Sequence, residues 1–492
     1  MGFDTDLQSI QEVRDALQRA KAAQAQLEAM SQVQIDAVIA EMAGEVLRSA
    51  AALAELAVQE TGFGNVPDKV AKNLFVADSI YPAIESMKTV GIIHRDDERK
   101  VWEIAQPVGV IAGIVPSTNP TSTVMFKAMI ALKARNSIVF SPHPGAKQCS
   151  FEAASRMQAA VERAGAPPHS IQCLALPTLE ASKELMTHRD TDLILATGGT
   201  AMVRAAYSSG KPAYGVGPGN VPVYIHRSAD VEQAASRIIR SKTFDYGTIC
   251  ASEQALVVDQ AVKSAIIDAF IRRGAYMLSH AEKRAIEGFI LRNGGLNSQI
   301  VGKSPEAIAA LAGITIPAHT TVFIAEEEEI GKHVPFSIEK LCPILALYTV
   351  QDETEGCTLC KKLLELGGLG HTLGIHATDL QVIEAFGLEK PASRIVVNSG
   401  TTFGGIGMST GIFPSLMLGC GSYGNNITSD NIGPQHLMNV KRVAFHMQDI
   451  PERESAQPTA VVTDHDTKPA ISISREDVME IVKRVLAEVE RS

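Results

Sequence analysis

Cys250 stands in a loop between two predicted rigid elements, where a thiol could do covalent chemistry. The segment FDYGTICAS (244–252) follows a predicted helix that ends near residue 242 and precedes a predicted strand over 254–258. Loops held by such elements often carry functional residues, and a thiolate adds readily to carbonyl carbon. Cys250 is therefore a candidate nucleophile. Position alone, however, favours a small buried thiol, which is also how we interpret the other six cysteines.

Two further segments lie at the carboxyl end of a predicted strand, which is where α/β sheets bind ligands. PSTNP (116–120) follows a buried strand candidate over 108–115. The amide of Asn119 could donate a hydrogen bond to an oxyanion; the alternative is an Asx turn between the two prolines. LILATGG (193–199) leads into a predicted helix whose free N–H groups could hold a diphosphate.

A second glycine-rich loop, GVGPGN, covers residues 215–220. Neither glycine loop matches the G-x-G-x-x-G fingerprint of dinucleotide-binding proteins. Each of them, taken alone, is as well explained by an ordinary tight turn.

The elements that position these segments alternate along the chain, which predicts an α/β fold with mostly parallel sheets and helices on both faces. A first series has strand candidates over 108–115, 137–140, 171–175, 193–196 and 222–225. The rhythm continues after Ser228, a candidate N-cap for a helix over 229–242. We therefore predict two α/β lobes with a boundary near residue 242.

Composition excludes several classes of protein. The 492 residues suggest two to four domains, and 45% hydrophobic with 20% charged residues is ordinary globular usage. A net charge of −10 argues against nucleic-acid binding. No apolar run is long enough for a membrane span, and the acidic start has no signal-peptide pattern.

Cysteine usage predicts the compartment. Seven cysteines, an odd number, indicate reduced thiols in a cytoplasmic protein rather than a disulfide framework. Cys357 and Cys360 form a lone CxxC on a predicted helix, which is weak evidence for zinc or redox chemistry. No other cluster has zinc-ligand spacing, so we predict no metal.

The C-terminal part of the chain differs from the rest. Residues 447–473 are rich in Pro, Thr, Ser and charge and are predicted to form a flexible linker. A helix is predicted within 474–492, with Ser474 and Asp477 as a capping box. Its apolar residues fall within an arc of about 140°; they are Val478, Ile481, Val482, Val485, Leu486 and Val489. Such a helix docks either on the enzyme itself or on a partner.

Four stretches together resemble the aldehyde dehydrogenase superfamily, and more narrowly its CoA-acylating branch of acetaldehyde and propionaldehyde dehydrogenases. The similarity covers about residues 5–446. The most specific motifs are GIVPSTNPTS (113–122), FSPHP (140–144), ATGG (196–199) and KTFDYGTICASEQ (242–254).

The resemblance implies a nucleotide-binding lobe over 1–242, a catalytic lobe over 243–432 and a small bridging sheet, used for oligomerisation, from 90–107 and 433–446. It implies Cys250 as nucleophile, Asn119 as oxyanion donor and Glu339 on the nicotinamide ribose. It assigns the NAD cofactor, with NADP as an option, to Pro116, Ser117, Thr118, Ser141, His143, Pro144, Thr197, Gly198, Gly199, Val216 and Gly217. His371 is a weaker candidate near the pocket, with a structural histidine as the alternative.

One departure from the family pattern bears on the reaction. Hydrolytic members carry a glutamate base in a loop that here reads GVGPG (215–219), and that glutamate aligns with Gly215. Without a base for water, transfer of the acyl group to the thiol of coenzyme A is favoured, since a thiol with a pKa of about 8.5 is easily ionised. We also expect that Gly215→Glu would admit hydrolysis.

The resemblance therefore implies oxidation of a small aldehyde, propionaldehyde or acetaldehyde, to its acyl-CoA. The alternatives are a hydrolytic aldehyde dehydrogenase, a reductase of acyl phosphates and a non-catalytic scaffold. The tail resembles the encapsulation peptides of bacterial microcompartment enzymes. It implies shell or core proteins as partners of 474–492 and a location inside such a compartment. A homo-oligomer, dimer or tetramer, is expected.

Overall fold

Parallel β-sheets covered by helices form the frame of the chain. A computed structural model describes residues 4–292, 295–450 and 474–489, and the chain divides into two units, Met1–Ala444 and Phe445–Ser492. The strands of the described part are β1 (Gly91–Asp96), β2 (Val101–Pro107), β3 (Val110–Val115), β4 (Ser137–Pro142), β5 (Ile171–Cys173), β6 (Leu193–Thr197), β7 (Ala213–Val216), β8 (Val221–Ile225), β9 (Glu253–Asp259), β10 (Ala275–Met277), β11 (Leu291–Arg292), β12 (Gly295–Leu296), β13 (Val322–Glu326), β14 (Ile344–Val350), β15 (Gly370–His376), β16 (Ala392–Val397) and β17 (Met438–Ala444).

The α-helices lie between these strands. They are α1 (Thr5–Glu28), α2 (Gln32–Thr61), α3 (Val66–Phe75), α4 (Tyr81–Ile84), α5 (Pro120–Lys133), α6 (Lys147–Arg163), α7 (Leu179–Thr187), α8 (Thr200–Tyr207), α9 (Val231–Thr243), α10 (Lys263–Ile271), α11 (His280–Ile290), α12 (Pro305–Ala312), α13 (Glu353–Gly367), α14 (Leu380–Glu389), α15 (Thr401–Gly405) and α16 (Arg475–Val489).

A five-stranded parallel sheet has the order β5-β4-β3-β6-β7. Its central strand, β3, is apolar along its whole length and buried at every position, as a strand covered by helices on both faces must be. After β5 the chain returns to the other side of β3 to form β6. The carboxyl ends of β3 and β6 therefore flank a topological switch point, which is where open α/β sheets bind ligands.

A seven-stranded parallel sheet has the order β10-β13-β14-β9-β8-β15-β16. The strand that we expected to complete the first series, over 222–225, lies here, because β8 pairs with β9 and β15. The change of sheet thus comes between Val216 and Val221, earlier than residue 242. The N-cap of the next helix, α9, is Asp230 rather than Ser228, since its carboxylate accepts from the Gln233 amide.

A three-stranded antiparallel sheet has the order β1-β2-β17. It joins the two segments that sequence analysis assigned to a bridging sheet. Its strands are mostly half-buried or exposed, and β17 in particular buries none of its residues fully. That this sheet serves oligomerisation stays a prediction.

The second unit contributes the tail helix, α16. Ser474 and Asp477 form the capping box reciprocally, since the Ser474 amide donates to Asp477 Oδ2 at 2.8 Å and the Asp477 amide donates to Ser474 Oγ at 3.2 Å. Of the predicted stripe, the described side chains are 47–59% exposed; they are Val478, Ile481, Val482 and Val485. The side chains of Leu486 and Val489, and linker residues 451–473, lie outside the described part.

Candidate active site

Cys250 and His371 meet between the loop before β9 and the start of β15. Nε2 of His371 lies 3.3 Å from Sγ of Cys250, and Nδ1 lies 3.0 Å from Oγ1 of Thr372. The thiol residue is half-buried and the imidazole fully buried. When Nδ1–H donates to Thr372, Nε2 has its lone pair free toward the thiol. The geometry therefore provides a proton acceptor beside the candidate nucleophile.

Both members of this pair are neutral near pH 7. Burial, together with the charge of Glu339, raises the pKa of the Cys250 thiol to about 12. Burial, together with the positive charge of Arg394, lowers the pKa of His371 to about 3. The site thus holds a thiol and an imidazole rather than a thiolate–imidazolium pair. A nucleophile forms here only as the proton leaves the sulfur.

Asn119 lies against the loop that carries Cys250, at the N-cap of the wholly buried helix α5. Its Nδ2 donates to the carbonyl oxygen of Thr248 at 3.3 Å, two residues before the thiol, and to Oγ1 of Thr118 at 3.1 Å. Its Oδ1 accepts from Nζ of Lys72. The amide therefore presents its NH2 group toward the 248–250 segment, which suits an oxyanion donor.

The loop over 215–219 brings no carboxylate of its own. A Cβ at Gly215 would lie 2.8 Å from Cγ1 of Val203 and 2.9 Å from Cε2 of Tyr207, on α8. The hydroxyl of Tyr207 accepts from the Gly215 amide at 3.0 Å and lies 3.3 Å from its carbonyl oxygen. A glutamate at position 215 therefore has no room, and the expectation that Gly215→Glu admits hydrolysis is revised on steric grounds.

Gly219, in the same loop, packs directly on Cys250. A Cβ at Gly219 would lie 2.3 Å from the carbonyl oxygen of Cys250, a distance that real Cβ atoms do not reach. The Gly219 amide donates to Oε1 of Glu339 at 2.9 Å. Burial raises the pKa of Glu339 to about 7. Glu339 is thus joined through Gly219 to the loop that carries Cys250, and it is not among the residues that line the cavity described next.

A cavity of about 280 Å³ opens at the switch point between β3 and β6. It is lined by Ile114, Val115, Pro116, Ser141, Pro142, His143, Pro144, Pro177, Thr178, Leu179, Ser182, Thr197, Gly198, Gly199 and Met202. Seven of the predicted cofactor residues are among them; they are Pro116, Ser141, His143, Pro144, Thr197, Gly198 and Gly199. The sequence patterns therefore converge on one pocket.

Three observations indicate that this pocket is suited to a dinucleotide. Oγ1 of Thr197 is buried and has no hydrogen-bond partner among the described residues. A Cβ at Gly199 would meet nothing within 4 Å, so the backbone there is open to a ligand. Gly199 is the N-cap of α8 and no side chain caps that helix, which leaves N–H donors for an anion.

The remaining predicted residues lie outside the lining of this pocket. Val216 pairs with Thr197 in the sheet, and Gly217 borders open space. Thr118 lies at the catalytic loop, where its carbonyl oxygen accepts from Lys69 at 3.0 Å. The structure gives Ser117, next to it, no polar contact within the described residues.

Sequence reasoning missed a buried cluster behind Asn119. Asp245 accepts from Nζ of Lys72, from Nζ of Lys69 at 3.0 Å and from Oγ1 of Thr248 at 2.7 Å. The two lysines are three residues apart on α3, which places them on one helix face. That spacing was the one available signal, and lysines at such a spacing ordinarily line a solvated surface.

Two kinds of feature are absent from the described residues. No helix there is long and apolar enough to cross a membrane. No group of three or more His, Cys, Asp or Glu side chains in that part of the chain lies together as a metal site would require.

A model of the aldehyde dehydrogenase family matches residues 4–283, which is more than half of the chain. The bifunctional aldehyde-alcohol dehydrogenase AdhE of Escherichia coli strain K12 is 44% identical over 441 residues, 89% of this chain and 50% of that protein. The chain thus spans about half the length of the aldehyde-alcohol dehydrogenases that it matches.

Solved structures agree over nearly the whole chain. An acetylating aldehyde dehydrogenase from Geobacillus thermoglucosidasius has a TM-score of 0.91 and 60% identity, covering 92% of this chain and 100% of that one. A propionaldehyde dehydrogenase from the Clostridium phytofermentans fucose utilisation bacterial microcompartment has a TM-score of 0.81 and 29% identity, covering 88% and 97%. The predicted α/β fold class is confirmed.

Proposed function

This chain belongs to the aldehyde dehydrogenase family, and from that premise we propose that it is a CoA-acylating member. It would convert a small aldehyde, coenzyme A and NAD+ into an acyl-CoA, NADH and a proton. Its similarity to an acetylating aldehyde dehydrogenase at 60% identity supports the proposal. The arrangement of Cys250, His371 and Asn119 supports it independently.

The first step is addition of the Cys250 sulfur to the aldehyde carbon. Because the pKa of the thiol is about 12, the proton must leave during the attack. Nε2 of His371, 3.3 Å away and neutral, is placed to accept it. This pairing keeps the thiol unreactive until a carbonyl arrives.

The charge that forms on the carbonyl oxygen needs a donor. The NH2 group of Asn119 donates here to the Thr248 carbonyl oxygen and to Thr118 Oγ1, and it would supply one such donor by exchanging one of these two partners for the oxyanion. The backbone N–H of Cys250 would supply a second. Donors fixed before the reaction stabilise such an oxyanion strongly in a site with little water, by about 3 kcal/mol each.

The switch-point pocket and Glu339 would hold the nicotinamide dinucleotide. Thr197, Gly198 and Gly199 would meet its diphosphate, and Glu339 its nicotinamide ribose. When bound, that group supplies the hydride acceptor of the oxidation. What remains on the chain is an acyl group on the Cys250 sulfur, as a thioester.

Whether water or coenzyme A takes the acyl group from Cys250 depends on the residues available at positions 215–219. The Tyr207 ring fills the space that a glutamate side chain would need. No carboxylate from that loop can then activate water, whereas coenzyme A brings a thiol that ionises more easily. His371 first releases the proton from Cys250 to solvent. The CoA sulfur then bonds to the acyl carbon as the bond to Cys250 breaks, and His371 takes the proton of the incoming thiol and returns it to the Cys250 sulfur. The absence of a carboxylate from the loop over 215–219 is the observation that supports acyl transfer over hydrolysis.

One assay tests the proposal and sets the substrate. Purified protein is supplied with C2, C3 and C4 aldehydes, either NAD+ or NADP+, and coenzyme A, and the products are separated by mass spectrometry. We expect acyl-CoA as the main product and little turnover without coenzyme A. Free carboxylic acid formed at the same rate without coenzyme A would indicate a hydrolytic enzyme and reject the proposal. Phosphate dependence would indicate an acyl-phosphate reductase.

The tail helix is assigned to assembly rather than to catalysis. Its described apolar side chains are about half-exposed, so an unsatisfied apolar stripe is available for a partner. A relative of 29% identity comes from a bacterial microcompartment. We therefore propose that α16 binds a shell or core protein of such a compartment and brings the enzyme inside it. The proposed homo-oligomer, dimer or tetramer, would use the β1-β2-β17 sheet.

A further inference from the structure

A buried ionic cluster lies behind Asn119, and the mechanism above does not use it. The side chains of Lys69 and Lys72 are 3% exposed and that of Asp245 is fully buried. Both ammonium groups contact Oδ2 of Asp245. Buried ion clusters are weak evidence for stability, because desolvation offsets their attraction. The cluster therefore calls for a role other than stability, such as positioning a neighbouring side chain.

The two lysines reach different atoms at the edge of the active site. Nζ of Lys69 donates to the carbonyl oxygen of Thr118 at 3.0 Å, a backbone contact. Nζ of Lys72 contacts the side chain of Asn119 at Oδ1 and lies 3.3 Å from Oγ1 of Thr248. Lys72 is thus the member of the cluster that touches the candidate oxyanion donor.

The contact between Lys72 and Asn119 can be made in only one of the two orientations of the Asn119 amide. An ammonium group has three donors and no acceptor, so it can satisfy Oδ1 but never the NH2 group of Asn119. If the amide turned over, two donor groups would face each other in a buried site. The positive charge of the Lys72 ammonium group beside Oδ1 also makes Nδ2–H a stronger donor, as in other charge-assisted hydrogen bonds.

Asp245 holds Lys72 in place. Its backbone φ of 49° is in the left-handed region, which non-glycine residues adopt mainly where the surroundings require it. In that turn the carboxylate also accepts from the Asn65 amide at 2.9 Å and from Thr248 Oγ1. The carboxylate therefore links α3, the loop after α9 and, through Lys72, the amide of Asn119.

We propose that Lys72 is a positioning residue that fixes the amide of Asn119 with its NH2 group toward Thr248, in the loop that carries Cys250, and polarises it as an oxyanion donor. The inference rests on the proposed function for the role of Asn119. It differs from a merely structural role of the cluster in one respect: Lys72 should matter for reactions that form an oxyanion and not for those that do not.

Two reagents separate these cases without coenzyme A or a nicotinamide. p-Nitrophenyl acetate acylates a thiol through a tetrahedral oxyanion, giving a thioester, p-nitrophenolate and a proton. Iodoacetamide alkylates the same sulfur by direct displacement of iodide, releasing a proton and forming no oxyanion. The burst of p-nitrophenolate and the alkylation of the Cys250 peptide, followed by mass spectrometry, give two rates for each variant. Cys250→Ala supplies the background of the ester reaction.

For Lys72→Met we expect the acylation rate to fall at least tenfold while the alkylation rate stays within twofold. Asn119→Ala should lower acylation about 100-fold, the size of effect seen for lost oxyanion donors. In the Asn119→Ala background, Lys72→Met should then cost less than twofold, since the group that it positions is gone. A full tenfold loss in that background, or equal losses of acylation and alkylation, would overturn the inference.

Lys69→Met is the matched control, because it removes an equally buried charge that also contacts Asp245, together with a backbone contact at Thr118 but none with the Asn119 side chain. Its loss of acylation should be at least fivefold smaller than that of Lys72→Met; equal losses would mean that charge, not contact, matters. Should Lys72→Met fail to fold, Lys72→Gln keeps a neutral donor for Oδ1 and should retain acylation within tenfold. An Asn119→Ala variant that acylates normally would instead reject the proposed oxyanion role, which separates the two failures.

Discussion

Nε2 of His371 lies 3.3 Å from Sγ of Cys250, in a setting where neither group is charged near pH 7. Burial raises the pKa of the thiol and lowers that of the imidazole, so a stored thiolate–imidazolium pair is disfavoured. In the proposed mechanism the proton is transferred when the sulfur attacks. The pair therefore resembles a nucleophile and its general base, with Thr372 orienting the base.

Replacing the imidazole of His371 should slow the reaction and leave the fold unchanged. For His371→Ala we expect at least a 100-fold lower rate of acyl-CoA formation, the usual size for a lost general base. The remaining rate should rise steeply between pH 7 and 9, because hydroxide then takes the thiol proton. Steady-state rates over that range are the measurement. His376→Ala is the control, since His376 is equally buried on the same strand and has no contact with Cys250; equal losses in both variants would contradict the role.

Removal of the sulfur should abolish the reaction. Cys250→Ala is expected to form no acyl-CoA above background while it still binds nicotinamide dinucleotide, because the switch-point pocket does not include position 250. Cofactor binding by fluorescence and acyl-CoA by mass spectrometry measure the two properties. Cys173→Ala, a half-buried cysteine on β5, should keep its activity. An acyl adduct trapped on a residue other than Cys250 would count against the mechanism.

The packing at Gly215 makes Gly215→Glu a test of stability rather than of hydrolysis. The new side chain would displace Tyr207 and Val203, and overpacking of this kind costs about 1–3 kcal/mol. We expect a lower melting temperature and no gain in free acid. Gly217→Ala, where a Cβ meets nothing within 4 Å, should melt within a degree or two of the wild type. A stable variant that releases free acid would show that the loop can turn its side chain into the site.

Buried neutral histidines should make the protein labile to acid. Burial lowers the pKa of His376 to about 4, while the unfolded chain has the ordinary value near 6.5. Between these values the unfolded state binds the proton and the folded state does not, so stability is lost as the pH falls below about 6.5, by about 1.4 kcal/mol per unit. At pH 5 this amounts to about 2 kcal/mol.

Denaturant unfolding at pH 7.5 and 5.0 measures this loss. His376→Leu removes the group and should therefore lose about 2 kcal/mol less than the wild type over that interval. The pKa of His371 is also lowered, to about 3, so His371 contributes to the loss of stability in acid in the same direction. Its replacement, however, also alters the active site. A wild type and a His376→Leu variant with the same pH dependence would refute the assignment.

Deletion of residues 450–492 should separate catalysis from assembly. The variant is expected to keep its acyl-CoA activity, because every residue assigned to the site precedes residue 444. It should no longer co-purify with shell or core proteins. Ile481→Lys with Val485→Lys in the full chain is a finer test, since it spoils the stripe and leaves the helix. Full retention of either variant in isolated compartments would reject the role of α16.

The position of the candidate site could be predicted because it depends on local signals. A run of buried apolar residues such as β3 predicts a central strand, and the proline and glycine residues that follow it predict where the strand ends. The ends of β3 and β6, and with them part of the pocket lining, are predicted in this way, whereas Ser141, His143 and Pro144 at the end of β4 came from the family resemblance. The loop before Cys250 was found in the same way.

What depends on distant pairing could not be predicted. β8 follows β7 closely in sequence, but it pairs with β9 and β15, so its sheet was assigned wrongly. His371 reaches Cys250 only because β15 pairs with β8, across about 150 residues of chain. Lys69 and Lys72 are charged residues and do not follow an apolar pattern, so the sequence does not predict that they are buried. It also gives no sign that Asp245 lies in the interior and pairs with them.

The pairing of β17 with β2 also bears on how the chain reaches its folded state. The register joins Val101 to Ala444 and Pro107 to Met438, so the closing strand comes more than 300 residues after its partner. Contacts of such long range form slowly, because the ends of a large loop must find each other. Until they do, the outer edge of β2 keeps its N–H and C=O groups unpaired and can accept a strand from another molecule. Self-association of nascent chains through this hairpin is therefore the misfolding hazard that the architecture carries.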